Sequence, residues 1–384
     1  MSNFSARIIK WQRQHGRHGL PWQGADAYHV WLSEIMLQQT QVATAIPYYQ
    51  RFIARFPDIA TLVAASEDAV MAHWSGLGYY ARGRNLHRAA QIIAEKHHGE
   101  FPREFEQILR LPGIGRSTAA AISVFAFHER RAILEGNVKR VLARYFAIAG
   151  FTGEKKIEIQ LWQQAEALLP HSLPPTSRGI TGDLAALPPS RMASSFIRAG
   201  ERGGSDDSIV TYTQGMMDLG ATVCIRSKPH CGACPVQTDC KAYQSGSVAQ
   251  FPAPRPKKGL PEKHTTFLLL MHGNDILLEK RPGSGIWGGL WCPPQLDNNR
   301  DAAACCARQF GVDMEQAISL PAFKHTFTHF KLLITPLLVQ VIHKPKQAQE
   351  PGKMWMDREE ALRAAIPTPV RNLLRELQAQ YILA

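Results

Sequence analysis

No stretch of this 384-residue chain is long and apolar enough to cross a bilayer. Its longest apolar runs, Phe267–Met271 and Leu332–Ile342, fall far short of the roughly 18–20 residues a spanning helix needs, and Pro336 interrupts the second. The opening MSNFSARIIKWQRQH lacks the apolar centre of a secretory leader, so a cytosolic protein is expected. Cysteine is scarce and odd in number, seven in all, which argues against a disulfide framework. Acidic residues are outnumbered, 32 Asp and Glu against 44 Lys and Arg, leaving a net charge of +12. That balance suits a polyanionic partner, nucleic acid before an anionic membrane, with a merely basic soluble protein as the alternative. What is present is ordinary for a folded protein: 45% hydrophobic and 20% charged residues, over a length that suggests two or three domains.

Through residue 169 apolar residues recur at helical spacing, as in Val30, Trp31, Ile35 and Met36, then Ala45, Tyr49, Phe52, Ile53 and Phe56. Ser66 reads as an N-cap with an acidic first turn. Arg82–His97, Arg116–Phe127 and Gly136–Ala149 are further helix candidates. The pattern fails over residues 171–210, where 16 of 40 residues are Ser, Pro or Gly, and a long surface excursion is expected. Helical spacing returns at Tyr212–Val223. A Pro- and Lys-rich stretch near Phe251–Pro261 marks a boundary, after which strands are predicted at Thr265–Met271, Ile276–Lys280 and Lys331–Ile342. Helical pieces at Asp301–Phe310, Arg358–Ala365 and Val370–Leu383 complete an α+β part. The expected division is a mainly helical region at 1–250, a linker at 251–263 and an α+β domain at 264–384.

Two local patterns carry chemistry. Cys224, Cys231, Cys234 and Cys240 lie in one short loop, 224–240, spaced C-x6-C-x2-C-x5-C. A single C-x2-C inside two wider arms suits one iron–sulfur cluster better than the paired knuckles of structural zinc; zinc, or no metal, are the alternatives. The second pattern is Leu111-Pro112-Gly113-Ile114-Gly115-Arg116-Ser117, between two helical segments. Gly113 and Gly115 permit a tight turn that exposes backbone N–H groups ahead of a helix, a site able to hold one phosphate without reading sequence.

Such a hairpin turn, followed by Glu135-Gly136-Asn137 and then the cysteine spacing, resembles the endonuclease III-like DNA glycosylase superfamily. The segments LPWQ at Leu20, WLSEIMLQQTQV at Trp31 and GLGYYAR at Gly76 narrow the resemblance to the adenine DNA glycosylase (MutY) family. It covers nearly the whole chain except residues 171–210. The carboxy-terminal part resembles a Nudix fold through Lys280-Arg281-Pro282, Gly285–Trp291 and Pro293-Pro294. Between Asp301 and Asp313, however, the sequence AAACCARQFGV has none of the Glu residues a Nudix hydrolase uses to hold Mg²⁺.

The resemblance implies a helix-hairpin-helix glycosylase domain with one 4Fe–4S cluster, followed by a Nudix-like lesion-recognition domain. It implies a monofunctional enzyme of base excision repair. That enzyme flips out and hydrolyses adenine mispaired with 8-oxoguanine, or with guanine, in double-stranded DNA. Glu34, in an apolar helix, would be the acid that protonates the leaving base. Glu135, where the family carries Asp, would face the sugar cation, and Asn137 would orient the site. Gln38 and Tyr79 would enter the base stack, Glu158 would contact the extruded purine, and Phe327-Thr328-His329 would recognise 8-oxoguanine. Ser117 stands where the lyase branch has a Schiff-base lysine, so an abasic product is implied. A cytoplasmic, nucleoid-associated monomer of bacterial type is expected, away from membranes. Three competing readings remain at this point. They are a pyrimidine glycosylase/lyase, a nucleotide hydrolase with a DNA-binding appendage, and a non-catalytic DNA-binding iron–sulfur protein.

Overall fold

A computed structural model describes residues 3–170, 207–256, 259–296, 302–312, 317–341, 343–344 and 351–380. The proposed excursion therefore lies outside the described residues up to position 206. The chain forms two compact units, each discontinuous in sequence: Met1–Ala25 with Gly115–Arg255, and Asp26–Ile114 with Pro256–Ala384. Among the described residues no helix is long and apolar enough to cross a membrane.

The first unit is helical, with helices Asn3–His15, Arg116–Phe127, Gly136–Tyr145, Lys155–Ala167 and Ser208–Asp218. The first and last of these pack closely. A Cβ on Gly215 would lie 2.8 Å from Ile8 Cγ2, so the contact needs glycine. Asp218 is wholly buried and accepts hydrogen bonds from Arg17 N (2.8 Å), Arg17 Nε (2.7 Å) and Gln214 Nε2 (2.9 Å). The carboxylate is thus paired and satisfied, as burial of a charge requires. Two predicted elements differ. The Gly136 helix stops at Tyr145 rather than Ala149, because Ala147 turns left-handed at φ +52°. The later helix starts at Ser208, before the predicted Tyr212, and ends in a wider π-turn, Leu219–Val223.

The second unit joins a helical part to a sheet. Its helices, Ala27–Leu37, Val42–Arg55, Ile59–Ala64, Glu67–Trp74, Ala81–Lys96 and Phe105–Leu109, enclose Trp31, Phe52, Phe56, Leu62, Met71 and Trp74. Ser66 does cap its helix, its Oγ accepting from Ala69 N at 3.2 Å. In the sheet, Glu262–His272 runs parallel to Lys331–Gln340 in unbroken register from Glu262↔Lys331 to Met271↔Gln340. Asp275–Lys280 folds back antiparallel and carries Lys353–Asp357 on its other side. Phe267, Leu269 and Met271 belong to one core, with Trp287, Ile334 and Leu374, while Leu268 and Leu270 belong to another, with Cys306, Phe310 and Val339. Burial on both faces explains why this strand reads as a continuous apolar run. Short strands at Ala317–Ser319, Phe323–Thr326 and Lys353–Asp357 had no predicted counterpart, being too brief to show a period.

Candidate active site

Glu34 sits within Ala27–Leu37. Asp26 starts this helix, its Oδ1 accepting from His29 N at 3.0 Å. Seven of the eleven helical residues are buried, including Trp31, Leu32, Ser33, Ile35 and Met36. Glu34 itself is half-buried, the single acidic residue of an apolar helix. Gln38, one turn later, ends the helix.

Gln38 and Tyr79 line a cleft of about 730 Å³ together with Phe327, Thr328 and His329. These five residues come from three distant segments, all of them assigned from the one family resemblance. Tyr79 is 44% exposed, which decides against a core tyrosine. Gln38 Nε2 donates to Gly113 O at 3.3 Å, linking this loop to the hairpin turn. Thr328 Oγ1 lies 3.0 Å from His329 Nε2. Phe327 stacks on Phe330 with centroids 4.6 Å apart, and packs against Trp287 at 5.5 Å and edge-on to His325 at 4.6 Å. Burial holds the His325 pKa below its ordinary value. Trp287, His325 and Phe330 were missed; the alternation His325, Phe327, His329 was the signal available.

Gly113 has φ +82°, and a Cβ there would stand 3.0 Å from Asn85 Cβ, so both backbone and space call for glycine. Gly115 caps the helix Arg116–Phe127 with no side-chain bond to its N-terminal amides. Ser117 is engaged nearby: its Oγ accepts from Leu134 N at 2.9 Å, anchoring the extended stretch that leads to Glu135.

Glu135 is the N-cap of Gly136–Tyr145, its Oε2 accepting from Asn137 N (2.8 Å) and its Oε1 from Val138 N (3.0 Å). Burial raises its pKa above the usual glutamate value; the two N–H groups and the Arg140 charge oppose that. Asn137 Oδ1 accepts from Arg140 Nη2 at 2.7 Å, and the same guanidinium donates to Gly220 O (2.8 Å) and Cys224 O (2.7 Å). A Cβ on Gly220 would lie 2.5 Å from Asn137 Cβ, so glycine is required for this approach. Glu158, on Lys155–Ala167, is paired with Lys139 Nζ at 2.6 Å and is 41% exposed.

Cys224, Cys231, Cys234 and Cys240 line one small cavity walled by Val141, Leu219, Val223 and Val236. Buried Arg144 ties the loop down through Ile225 O (2.7 Å), Arg226 O (3.1 Å) and Phe251 O (2.9 Å), and reaches Cys224 Sγ at 3.4 Å. Burial, then the other thiols, pushes Cys234 up to about 12. The donor set, four cysteine sulfurs lining one cavity, is chemically able to hold an iron–sulfur cluster or a zinc ion. Arg140 and Arg144 were not anticipated; their spacing of four on one helix was the only hint.

Two family descriptions match the chain: an HhH-GPD superfamily base excision DNA repair protein over residues 32–167 and a NUDIX domain over residues 265–376. The adenine DNA glycosylase of Buchnera aphidicola subsp. Acyrthosiphon pisum (strain APS) is 36% identical over 98% of this chain and 97% of its own length. That of Homo sapiens is 30% identical over 98% of this chain and 74% of its own. The chain belongs to the adenine DNA glycosylase family. Its fold is that of the family expectation, a helical HhH-GPD part followed by a Nudix-like α+β sheet.

Proposed function

We propose that this family member is a monofunctional glycosylase. It extrudes adenine from a pair with 8-oxoguanine, or with guanine, and hydrolyses its glycosidic bond to leave an abasic site. The observation that carries the reading is the cleft shared by Gln38, Tyr79, Phe327, Thr328 and His329. One set of side chains can prise a base step apart while the other reads the partner base by stacking and hydrogen bonding. Glu34 delivers the proton that makes adenine a leaving group, a role suited to a carboxyl in a largely apolar helix. The Glu135 carboxylate faces the positive charge that grows on the sugar, and Asn137 and Arg140 hold that stretch in register. Glu158 is assigned to the extruded purine. Ser117 has no amine with which to trap the sugar, so strand cleavage is not part of the reaction.

The four cysteines would hold one 4Fe–4S cluster, which supplies a rigid anchor for a basic loop carrying Arg226, Lys228 and Lys241 toward the phosphate backbone. Gly113 and Gly115 offer backbone N–H groups to the same backbone. The Nudix-like part acts as a reader, since its helical piece, Ala302–Cys305 and the π-turn after it, carries no carboxylate. A cytoplasmic, nucleoid-associated monomer completes the reading; the +12 charge supports its association with nucleic acid.

The test is incubation with a duplex containing A opposite 8-oxoguanine. Strand breakage only after alkali supports the proposal. Breakage without alkali would indicate a lyase, and none at all a binding protein. In parallel, the purified protein should be yellow-brown with about four irons per chain, and Cys231→Ser should lose them; a colourless protein with one zinc overturns the cluster.

A further inference from the structure

Among the described residues seven non-glycines adopt the left-handed backbone region, and three of them line the cleft: Gln39 (φ +58°), Tyr79 (+48°) and Trp287 (+51°). Side chains disfavour this region. Such strain persists only where the surroundings impose it, and it gathers at functional sites. Two of the strained residues sit at the side chains assigned to base extrusion: Gln39 follows Gln38, and Tyr79 is itself one of them.

Arg82, in the first turn of Ala81–Lys96, is only 8% exposed. Its Nη1 donates to Ile35 O and Met36 O, both at 2.9 Å, and to Gln38 O. Its Nη2 donates to Thr40 Oγ1 (3.2 Å) and Gly78 O (3.3 Å). Ile35 and Met36 lie in the last turn of the Glu34 helix, where carbonyls have no partner within the helix. Gln38 and Gly78 directly precede Gln39 and Tyr79. The guanidinium also stands 5.3 Å from the Tyr79 ring and 5.6 Å from the Trp74 ring. Burial lowers the Arg82 pKa to about 10, which leaves the group charged near neutrality.

We propose that Arg82 is a positioning residue. Its guanidinium clamps the two strained loops in the form that presents Gln38 and Tyr79 to the duplex, and fixes the end of the helix that carries Glu34. The inference rests on the functional reading of those three residues. Five acceptors stand around the four Nη hydrogens, at least one of them shared, an arrangement that suits a planar group with donors in fixed directions. A lysine ammonium, with three donors at one point, cannot span them.

The experiment compares wild type with Arg82→Lys by three readouts: single-turnover release of adenine opposite 8-oxoguanine, the fluorescence rise of 2-aminopurine in place of that adenine, and thermal melting. Misplacement by about 1 Å can cost on the order of 10²-fold in rate. The expected result is a loss approaching that size, with the 2-aminopurine rise at least halved and a cooperative melt retained. Because Arg82 acts through Tyr79, Arg82→Lys should cost less in a Tyr79→Ala background. Rates within about twofold of wild type, or additive losses in the double variant, overturn the proposal. If Arg82→Lys does not fold, Thr40→Val removes one acceptor while leaving the guanidinium in place. About threefold slower release then supports the clamp, and an unchanged rate and fluorescence reject it. A wild-type protein that releases no adenine would refute the functional reading alone; the 2-aminopurine signal would still decide the role of Arg82.

Discussion

Glu34 and Glu135 are held in different ways. Around Glu34 most of the work is done by packing: Trp31, Leu32, Ile35 and Met36 are at most 2% exposed, and the Arg82 guanidinium closes the helix end on Ile35 O and Met36 O. Around Glu135 it is done by polar bonds: two backbone N–H groups on the carboxylate, a serine hydroxyl on the preceding residue and an arginine on Asn137. Apolar packing tolerates small changes of shape at a cost in stability. A hydrogen-bonded cap sets the carboxylate's reach, so one methylene matters.

The strongest challenge to this contrast is Glu34→Gln, which keeps the packing and removes only the proton. Excision in single turnover should fall by about 10²–10⁴-fold, the usual share of general-acid catalysis, with duplex affinity retained. Activity near wild type would remove Glu34 from the mechanism.

Glu135→Asp comes next. Aspartate is itself a good N-cap, so the helix start survives while the carboxylate withdraws by one methylene toward the family's position. The expected outcome is a rise of roughly tenfold, within the range that misplacement of a catalytic group can cost. A fall would mean the pocket is built around the longer side chain. Because the proposed role needs the ionised form and burial disfavours it, the acid limb of the wild-type pH profile should lie above 4.5, the ordinary glutamate value. The rate falls as pH drops through that limb.

Smaller effects separate the regions further. Thr328→Val removes one hydroxyl from the cleft and should lower the preference for 8-oxoguanine over guanine by about fivefold, the value of one net hydrogen bond; an unchanged ratio would release Thr328 from that role. Ile35→Val, which trims the packing behind Glu34, should cost about 0.5–1.5 kcal/mol in denaturant unfolding and leave the rate within about twofold. A large rate loss would show that packing at Glu34 sets chemistry as well as stability.

Much of this was legible in residue order because the signals are local. The cysteine spacing brought four thiols to one cavity, Gly113 needed its positive φ, and the run Phe267–Met271 was a strand buried on two faces. Glu34 stood out as the one acid in an apolar helix. Glu135 was visible as a departure from a family motif, but its use as a helix cap was not, since capping depends on backbone direction.

The amino-acid sequence alone determined the helical and α+β parts, the thiol set and the residues with chemistry to offer. Tertiary structure alone decided that Asp26–Ile114 and Pro256–Ala384 form one unit, which is what lets Tyr79 and Phe327 line one cleft. It also decided that Arg82, Arg140 and Arg144 face carbonyl oxygens rather than water. An arginine on a helix looks the same in sequence whether it faces water or carbonyls, because its partners come from loops far away in the chain. The left-handed backbone at Gln39 and Tyr79 is likewise invisible beforehand, since nothing in a glutamine or a tyrosine favours it; it exists only because distant groups hold it there.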